Sequence, residues 1–304
     1  KEPISSIAWS PDGTALLFVR AGTICVVEDK DNTVKELKLP GFVSAGGLDA
    51  NPAAVWSPDS SLIAYSFSDE LKRRHIGIAD RTGKLIYRTY DADPSVSPTW
   101  VDSNTLYFAR GKKGGASADY YFIGIERGDC GCSATASAPE EFYQVLGDGL
   151  GALLSVAAYP SPDGKIVAFL LENDGWAHLH GYSRGGGAMK QLTEGAHEDF
   201  GHAGDVPAWS PDGRLIAYSS SKGDLHERHI WLLNPLTHES HVLDTLPGTN
   251  SQAKWSPDGR RVAFVHCDVY KNADIWVLDI SRPEAAKQIT FSMPDAWTEA
   301  NISV

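Results

Sequence analysis

The feature that most constrains this chain is a turn sequence written several times over. It stands most completely at Trp209-Ser210-Pro211-Asp212-Gly213 and returns at Trp9-Ser10-Pro11-Asp12-Gly13, Trp56-Ser57-Pro58-Asp59-Ser60 and Trp255-Ser256-Pro257-Asp258-Gly259. Two weaker copies fill the gaps. Trp100-Val101-Asp102-Ser103-Asn104 keeps the aromatic and loses the proline, and Tyr159-Pro160-Ser161-Pro162-Asp163-Gly164 replaces Trp by Tyr. The aromatic recurs at 9, 56, 100, 159, 209 and 255, in steps of 47, 44, 59, 50 and 46 residues. A period in the forties with strand patterns on both sides marks a propeller blade, a sheet that hides its apolar faces only by stacking on its neighbours.

Each copy encodes a hairpin for local reasons. Pro fixes φ at the first corner, Asp caps the turn backbone, and Gly takes the left-handed position that closes a type I turn with a bulge. Strand-forming runs follow: Leu16-Leu17-Phe18-Val19, Leu62-Ile63-Ala64-Tyr65, Ile166-Val167-Ala168-Phe169, Leu215-Ile216-Ala217-Tyr218 and Val262-Ala263-Phe264-Val265. Asn104 stands where Gly is expected, and Asn is the next-best residue for a left-handed corner. Ser60 at the same place is a poorer fit.

Behind each inner hairpin come two further strands, at 23–27 and 33–37 in the first unit and at 75–79 and 84–87 in the second. The third has 120–125, a polar insertion at 128–139, then 142–146; the fourth has 176–180 and 189–192. The fifth pairs 229–233 with 241–243, and the sixth pairs 274–278 with 287–290. The expected fold is all-β: a six-bladed β-propeller with four-stranded antiparallel blades, since a closed ring protects blade edges. It occupies one domain, 1–304, with blades at about 1–40, 52–90, 97–146, 155–193, 206–244 and 252–291. The tail 292–304 is expected to close the last blade or to lead towards another domain.

Composition narrows the functions. Lys and Arg number 27 against 39 Asp and Glu, a net charge of −12 that repels phosphate backbones and argues against nucleic-acid binding. No run approaches the roughly 18 apolar residues of a membrane helix, and no targeting peptide precedes the first repeat. Cys25 and Cys267 fall in or beside strands, as small hydrophobes do. Cys130 and Cys132 lie in the polar insertion with no second pair at zinc spacing.

Three constellations carry possible chemistry. Gly181-Tyr182-Ser183-Arg184-Gly185 spells G-x-S-x-G, but a nucleophile elbow needs a helix after the serine, and here Gly185-Gly186-Gly187 and a short strand follow. Ser183 therefore reads as a turn residue. Histidines gather at His178, His180, His197, His202, His226 and His229. His178 and His180 share a strand face, yet no carboxylate motif at metal spacing accompanies them, so they read as hydrogen-bonded or solvated strand residues. Glu140-Glu141 follows the insertion, where adjacent acids on a loop either form a wet surface or hold a cationic group. The Asp-box S-x-D-x-G-x-T-W does not occur.

The repeat Trp-Ser-Pro-Asp-Gly-x-x-Ile-Ala-Tyr/Phe resembles the WD40-like repeat of TolB-type propellers over essentially the whole chain. Asn173-Asp174-Gly175-Trp176-Ala177-His178-Leu179-His180, followed by Lys190-Gln191-Leu192-Thr193-Glu194-Gly195, is similar to the D-G-W-x-H-L-Y…Q-L-T-x-G segment of propellers in the prolyl oligopeptidase family, including its dipeptidyl peptidase and acylaminoacyl peptidase branches. Gln288-Ile289-Thr290-Phe291-Ser292-Met293-Pro294 resembles the last propeller strand of those enzymes, ahead of their α/β-hydrolase domain. The resemblance implies a non-catalytic propeller of a serine peptidase that admits peptides to a hydrolase domain of the same parent protein. The Ser-Asp-His triad would lie in that domain, so this chain is expected to hold no catalytic residue, metal or cofactor, with peptide as substrate and neither nucleic acid nor membrane as partner. Dipeptidyl peptidases of the family bind the substrate's free amine with a Glu-Glu pair, and Glu140 and Glu141 match it by type. The alternatives are a free-standing TolB-like interaction propeller and a propeller enzyme with a metal in its central channel. The compartment is left open.

Overall fold

The computed structural model describes residues 4–30, 32–43, 52–112, 118–128, 133–144, 157–172, 174–185, 187–199 and 205–292. Among them all regular structure is β, and the chain separates into two compact units, Lys1–Pro160 and Ser161–Val304. In the first unit β1 (Ile4–Trp9), β2 (Ala15–Arg20), β3 (Thr23–Glu28) and β4 (Val34–Glu36) form an antiparallel meander. β5 (Phe42–Val43) and β6 (Ala54–Trp56) both pair with β7 (Leu62–Ser68), followed by β8 (Arg74–Asp80) and β9 (Leu85–Arg88). A third sheet runs β10 (Ser95–Asp102), β11 (Thr105–Gly111), β12 (Ala118–Arg127), β13 (Ala134–Ala136), with β14 (Glu140–Tyr143) also on β12. β15 (Tyr159–Pro160) opens the next sheet at the unit boundary. In the second unit this sheet holds β16 (Ile166–Glu172), β17 (Ala177–Ser183) and β18 (Lys190–Gln191). Two four-stranded sheets follow: β19 (Ala208–Trp209), β20 (Ile216–Ser220), β21 (His229–Leu233), β22 (Ser240–Val242), and β23 (Thr249–Trp255), β24 (Arg261–Cys267), β25 (Asp274–Asp279), β26 (Arg282–Gln288).

The repeated turn makes the same bonds at each full copy. In the first, Ser10 Oγ donates to Asp12 Oδ1 at 2.6 Å and accepts from Ala15 N at 2.9 Å, while Gly13 N donates to Ser10 O. The serine thus closes the hairpin from inside, and Gly13 sits at φ +71°. Serines 57, 161, 210 and 256 repeat the arrangement with Asp59, Asp163, Asp212 and Asp258. Ser60 does adopt the left-handed corner, at φ +62°, and is buried because its Oγ accepts Asp12 N of the preceding repeat at 2.9 Å. That inter-repeat bond offsets the steric cost a non-glycine carries there. Asn104 departs from expectation and is not left-handed. With the proline gone, Ser103 and Asn104 form a two-residue turn between paired Asp102 and Thr105, and Asn104 N donates to Asp102 Oδ1 at 2.7 Å.

The tryptophans tie one sheet to the next. Trp56 Nε1 donates to Ala8 O at 3.3 Å, Trp100 Nε1 to Val55 O at 3.4 Å, and Trp255 Nε1 to Ala208 O at 2.9 Å. Each acceptor is the residue before the aromatic of the previous repeat. Apolar packing follows the same stacking. Alternate residues of β7 serve two cores: Ile63, Tyr65 and Phe67 pack with Leu17, Val19, Ile24 and Val26 of the first sheet, whereas Leu62 and Ala64 pack with Leu106, Phe108, Ile123 and Ile125 of the third. A strand buried on both faces loses the alternation of polar and apolar residues, which explains its continuous apolar run. In the second unit Ala217, Ile230 and Leu232 meet Ala253, Val262, Phe264 and Leu278 in the same way.

Two expectations shift. The polar insertion contains β13, whose Ala134 to Ala136 pair with Arg127 to Ile125. β12 is ten residues long, so its first half pairs with β14 and its second with β13, and an outer edge read as loop is strand. The last strand starts earlier than expected, at Arg282, directly after the turn that pairs it with Asp279.

Trp255→Phe keeps the ring and deletes its bond to Ala208 O. Urea titration should show a loss of about 1 kcal/mol, the net worth of one such hydrogen bond; unchanged stability would remove the tie from the fold's support.

Candidate functional site

A polar tie recurs between the third and fourth strands of several sheets. Ile76 N donates to Thr89 Oγ1 at 3.1 Å, and the hydroxyl lies 3.4 Å from His75 Nδ1. Leu179 N donates to Thr193 Oγ1, Ile230 N to Asp244 Oδ2 and Ile275 N to Thr290 Oγ1. The residue before each donor, His75, His178, His229 or Asp274, stands at the same place. His229 Nδ1 reaches Asp244 Oδ1 at 3.1 Å and Asp274 Oδ1 accepts from Thr290 Oγ1 at 2.8 Å. Three of the chain's histidines are thereby part of the repeat.

The copy around His178 has been elaborated. Between His178 and Thr193 stands Asp199, fully enclosed, with Oδ2 3.0 Å from His178 Nδ1 and in contact with Thr193 Oγ1. Ser220 Oγ donates to Asp199 Oδ1 at 2.7 Å, and His197 Nε2 lies 3.4 Å from the same oxygen. The segment 195–199 is held between two sheets: Asp199 N donates to Ala177 O, Ser221 N to Glu198 O, and Ala177 N to Glu198 Oε2. Burial alone would raise the Asp199 carboxyl, but the contacts from His178, His197, Thr193 and Ser220 outweigh it and hold it well below the carboxylate range. His178 is pulled down by burial and raised further by the bond and charge of Asp199, with Asp174 adding to the rise.

A second polar node lies beside it in the same unit. Asn250 Nδ2 donates to Asp244 Oδ1 at 2.8 Å, and His266 Nδ1 lies 2.8 Å from Asn250 Oδ1. Arg228 joins the two nodes, donating to Ser219 Oγ, Ser219 O and Glu198 O. Burial lowers its pKa, against the charges of Asp205, Asp199 and Glu198. Burial raises Asp244 despite its bonds to Ile230 N and His229. Next to this node Lys222, Glu227, His229, Trp231 and Asp244 line a surface pocket of about 310 Å³.

The residues singled out in the sequence fall as follows. Ser183 ends β17, exposed and paired with Ile166, and a turn follows rather than a helix. His180 is buried, its Nδ1 3.1 Å from His178 O, and burial lowers its pKa. His202, Cys130 and Cys132 lie outside the described residues. Glu140 and Glu141 are not on a loop but in β14, where consecutive side chains point to opposite faces. Glu141 accepts from Tyr121 OH at 2.6 Å and Gln144 Nε2 at 2.7 Å, which hold its carboxyl below the ordinary range. Burial, and then the bond and charge of Glu141, push the Tyr121 phenol up to about 12. Asp199 escaped the sequence reading because its partner His178 is 21 residues away, with a turn and the short strand β18 between them. The signal present was the cluster His197-Glu198-Asp199 itself.

No family model matches the chain. Its sequence is 32% identical over 88 residues, 29% of this chain, to the Tol-Pal system protein TolB of Francisella tularensis subsp. mediasiatica, and 41% identical over 58 residues to TolB of Alcanivorax borkumensis. The matched stretches span 20% and 13% of those proteins. Among solved structures, dipeptidyl peptidase 4 of Porphyromonas gingivalis superposes on 93% of this chain with a TM-score of 0.65 at 13% identity. The fold is a β-propeller. A puromycin-hydrolyzing peptidase of Mycobacterium tuberculosis covers 90% with a TM-score of 0.61 at 14% identity. This chain spans 44% and 43% of those two peptidases.

His266 is kept neutral by burial, which lowers its pKa. The stability this gives is present above the unfolded value near 6.5 and is lost as pH falls below it. His180 titrates in the same sense, so the comparison is by difference: His266→Gln should flatten the acid-side decline of unfolding free energy, and an unchanged slope would assign it elsewhere.

Proposed function

We propose that the chain is a six-bladed, non-catalytic propeller domain of a prolyl oligopeptidase-family serine peptidase, and that it filters peptides on their way to an α/β-hydrolase domain of the same parent protein. The observation that carries this reading is that nearly all of the chain superposes on less than half of two peptidases. The six sheets among the described residues support one blade for each aromatic repeat. The turn context of Ser183 supports a catalytic centre outside this chain. The isolated chain is expected to show no peptidase activity and no labelling of Ser183 by diisopropyl fluorophosphate. A labelled Ser183 sinks the proposal. The parent gene gives a second check, a G-x-S-x-G in strand–turn–helix context downstream.

Within this reading Glu140 and Glu141 are the groups offered to a substrate's free amine. The Glu140 carboxylate is exposed and has no hydrogen-bond partner among the described residues, whereas that of Glu141 is engaged by Tyr121. Glu140→Gln in the intact parent should raise KM about tenfold, roughly 1.4 kcal/mol, for peptides with a free N-terminus and leave N-blocked peptides unaffected. Equal effects on both would remove the residue from amine recognition.

A second reading, a TolB-like propeller that binds a protein partner across one face, is favoured by the sequence identity to TolB over 88 residues. A parent gene that ends soon after this chain supports it.

A further inference from the structure

We propose that His178, His197 and Asp199 form a binding site for one divalent transition-metal ion of the zinc class, with its fourth position open. The proposal stands apart from the peptidase reading and needs only the geometry of the second unit. The repeat architecture accounts for a histidine at 178 and a hydroxyl at 193, because sheets elsewhere in the chain carry the same tie. It does not account for His197 and Asp199, which this sheet alone adds among the described copies. One donor atom from each of His178, His197 and Asp199 falls within 4.8 Å of the others, and all three residues are buried.

Three details separate the cluster from a buried ion pair with a spare ring nearby. First, His197 Nε2 is buried without a hydrogen-bond partner, although it points to within 3.4 Å of Asp199 Oδ1. An orphaned buried imidazole nitrogen is costly, and metal coordination is one of the few interactions that resolves it. The 3.4 Å gap is long for a hydrogen bond but matches the edge between two donors on a four-coordinate zinc ion, about 3.3 Å for bonds near 2.0–2.1 Å. Second, the outer contacts are those that metal ligands use. His178 turns Nδ1 to Asp199 and places Nε2 3.0 Å from Gly195 O, the backbone bond that fixes tautomer and ring orientation in metal-bound histidines. Asp199 is in turn oriented by Ser220 and Thr193. Third, the approach of His197 depends on a missing side chain: a Cβ on Gly195, which sits at φ +127°, would lie 2.8 Å from His197 Nδ1.

Two imidazoles and one carboxylate suit Zn²⁺, Co²⁺ or Ni²⁺ and disfavour Mg²⁺ and Ca²⁺, which take oxygen ligands. The metal binds the neutral ring: Nε2–H stays on Gly195 O, and where His178 is an imidazolium the proton on Nδ1 that faces Asp199 leaves to solvent as the metal takes its place. Three protein ligands leave one coordination position for water or a small anion.

The test is titration of the purified, chelator-treated chain with Co²⁺. One equivalent should bind and give the visible d–d absorption of a four-coordinate site, Zn²⁺ should bleach it, and excess Mg²⁺ or Ca²⁺ should not. Asp199 holds His178, Thr193 and Ser220 by hydrogen bonds, so its replacement risks the fold; His197→Ala is the informative variant. It should weaken Co²⁺ binding at least about tenfold while leaving the far-UV circular dichroism unchanged, and Gly195→Ala should weaken it in the same direction. His238→Ala, an exposed turn histidine, should bind as wild type does. Failure to take up Co²⁺, or undiminished uptake by His197→Ala, overturns the site and leaves a structural His178–Asp199 pair.

Discussion

The interaction that sets one sheet against the next runs from a tryptophan indole N–H to the backbone carbonyl of the repeat before it. Sheets of this kind have two apolar faces, and among the described residues no helix covers either one. Their apolar area is non-directional and would let neighbouring sheets slide. Where it forms, at Trp56, Trp100 and Trp255, the indole bond fixes the offset because it joins one atom of an inner strand to one atom of the preceding one. Around it the apolar residues divide by strand parity, as the two faces of β7 do, so the second sheet shares one core with the first and another with the third.

Much of this was legible in the sequence because its causes are local. A Ser-Pro-Asp-Gly turn determines its own hydrogen bonds within six residues, so the hairpins at Ser10, Ser210 and Ser256 fall where the motif puts them. Legibility failed where the cause is distant. Ser60 looked like a misfit until its hydroxyl was seen to accept Asp12 N from the preceding repeat, 48 residues away. The polar stretch before Glu140 has the composition of a loop, yet the free edge of a ten-residue strand recruits Ala134–Ala136 into pairing. Composition reports what a side chain prefers; it is silent about which backbone edge stands open beside it.

The candidate site divides along the same line. His75, His178, His229 and Asp274 belong to a tie that the repeat supplies, which is why two histidines at 178 and 180 read as ordinary strand residues. What distinguishes the fourth sheet is a carboxylate delivered by the loop 195–199, anchored through Glu198 to strands of two sheets. A loop clamped at both ends can carry a buried Asp and His where a free loop would leave them in water. The surrounding Arg228, Asn250 and Asp244 extend the polar interior, the last two fully buried, and every one of them is hydrogen-bonded.

The acceptor in the indole bond is a main-chain oxygen, present whatever residue occupies the position: Ala8, Val55 and Ala208 serve alike. Neighbouring repeats therefore need not change together. A gene segment encoding one repeat can be duplicated, lost or exchanged, and its new neighbour already offers the complementary atom. That freedom from covariation gives a physical route by which chains of one ancestry come to differ in repeat number and drift far apart in identity while their sheets still superpose.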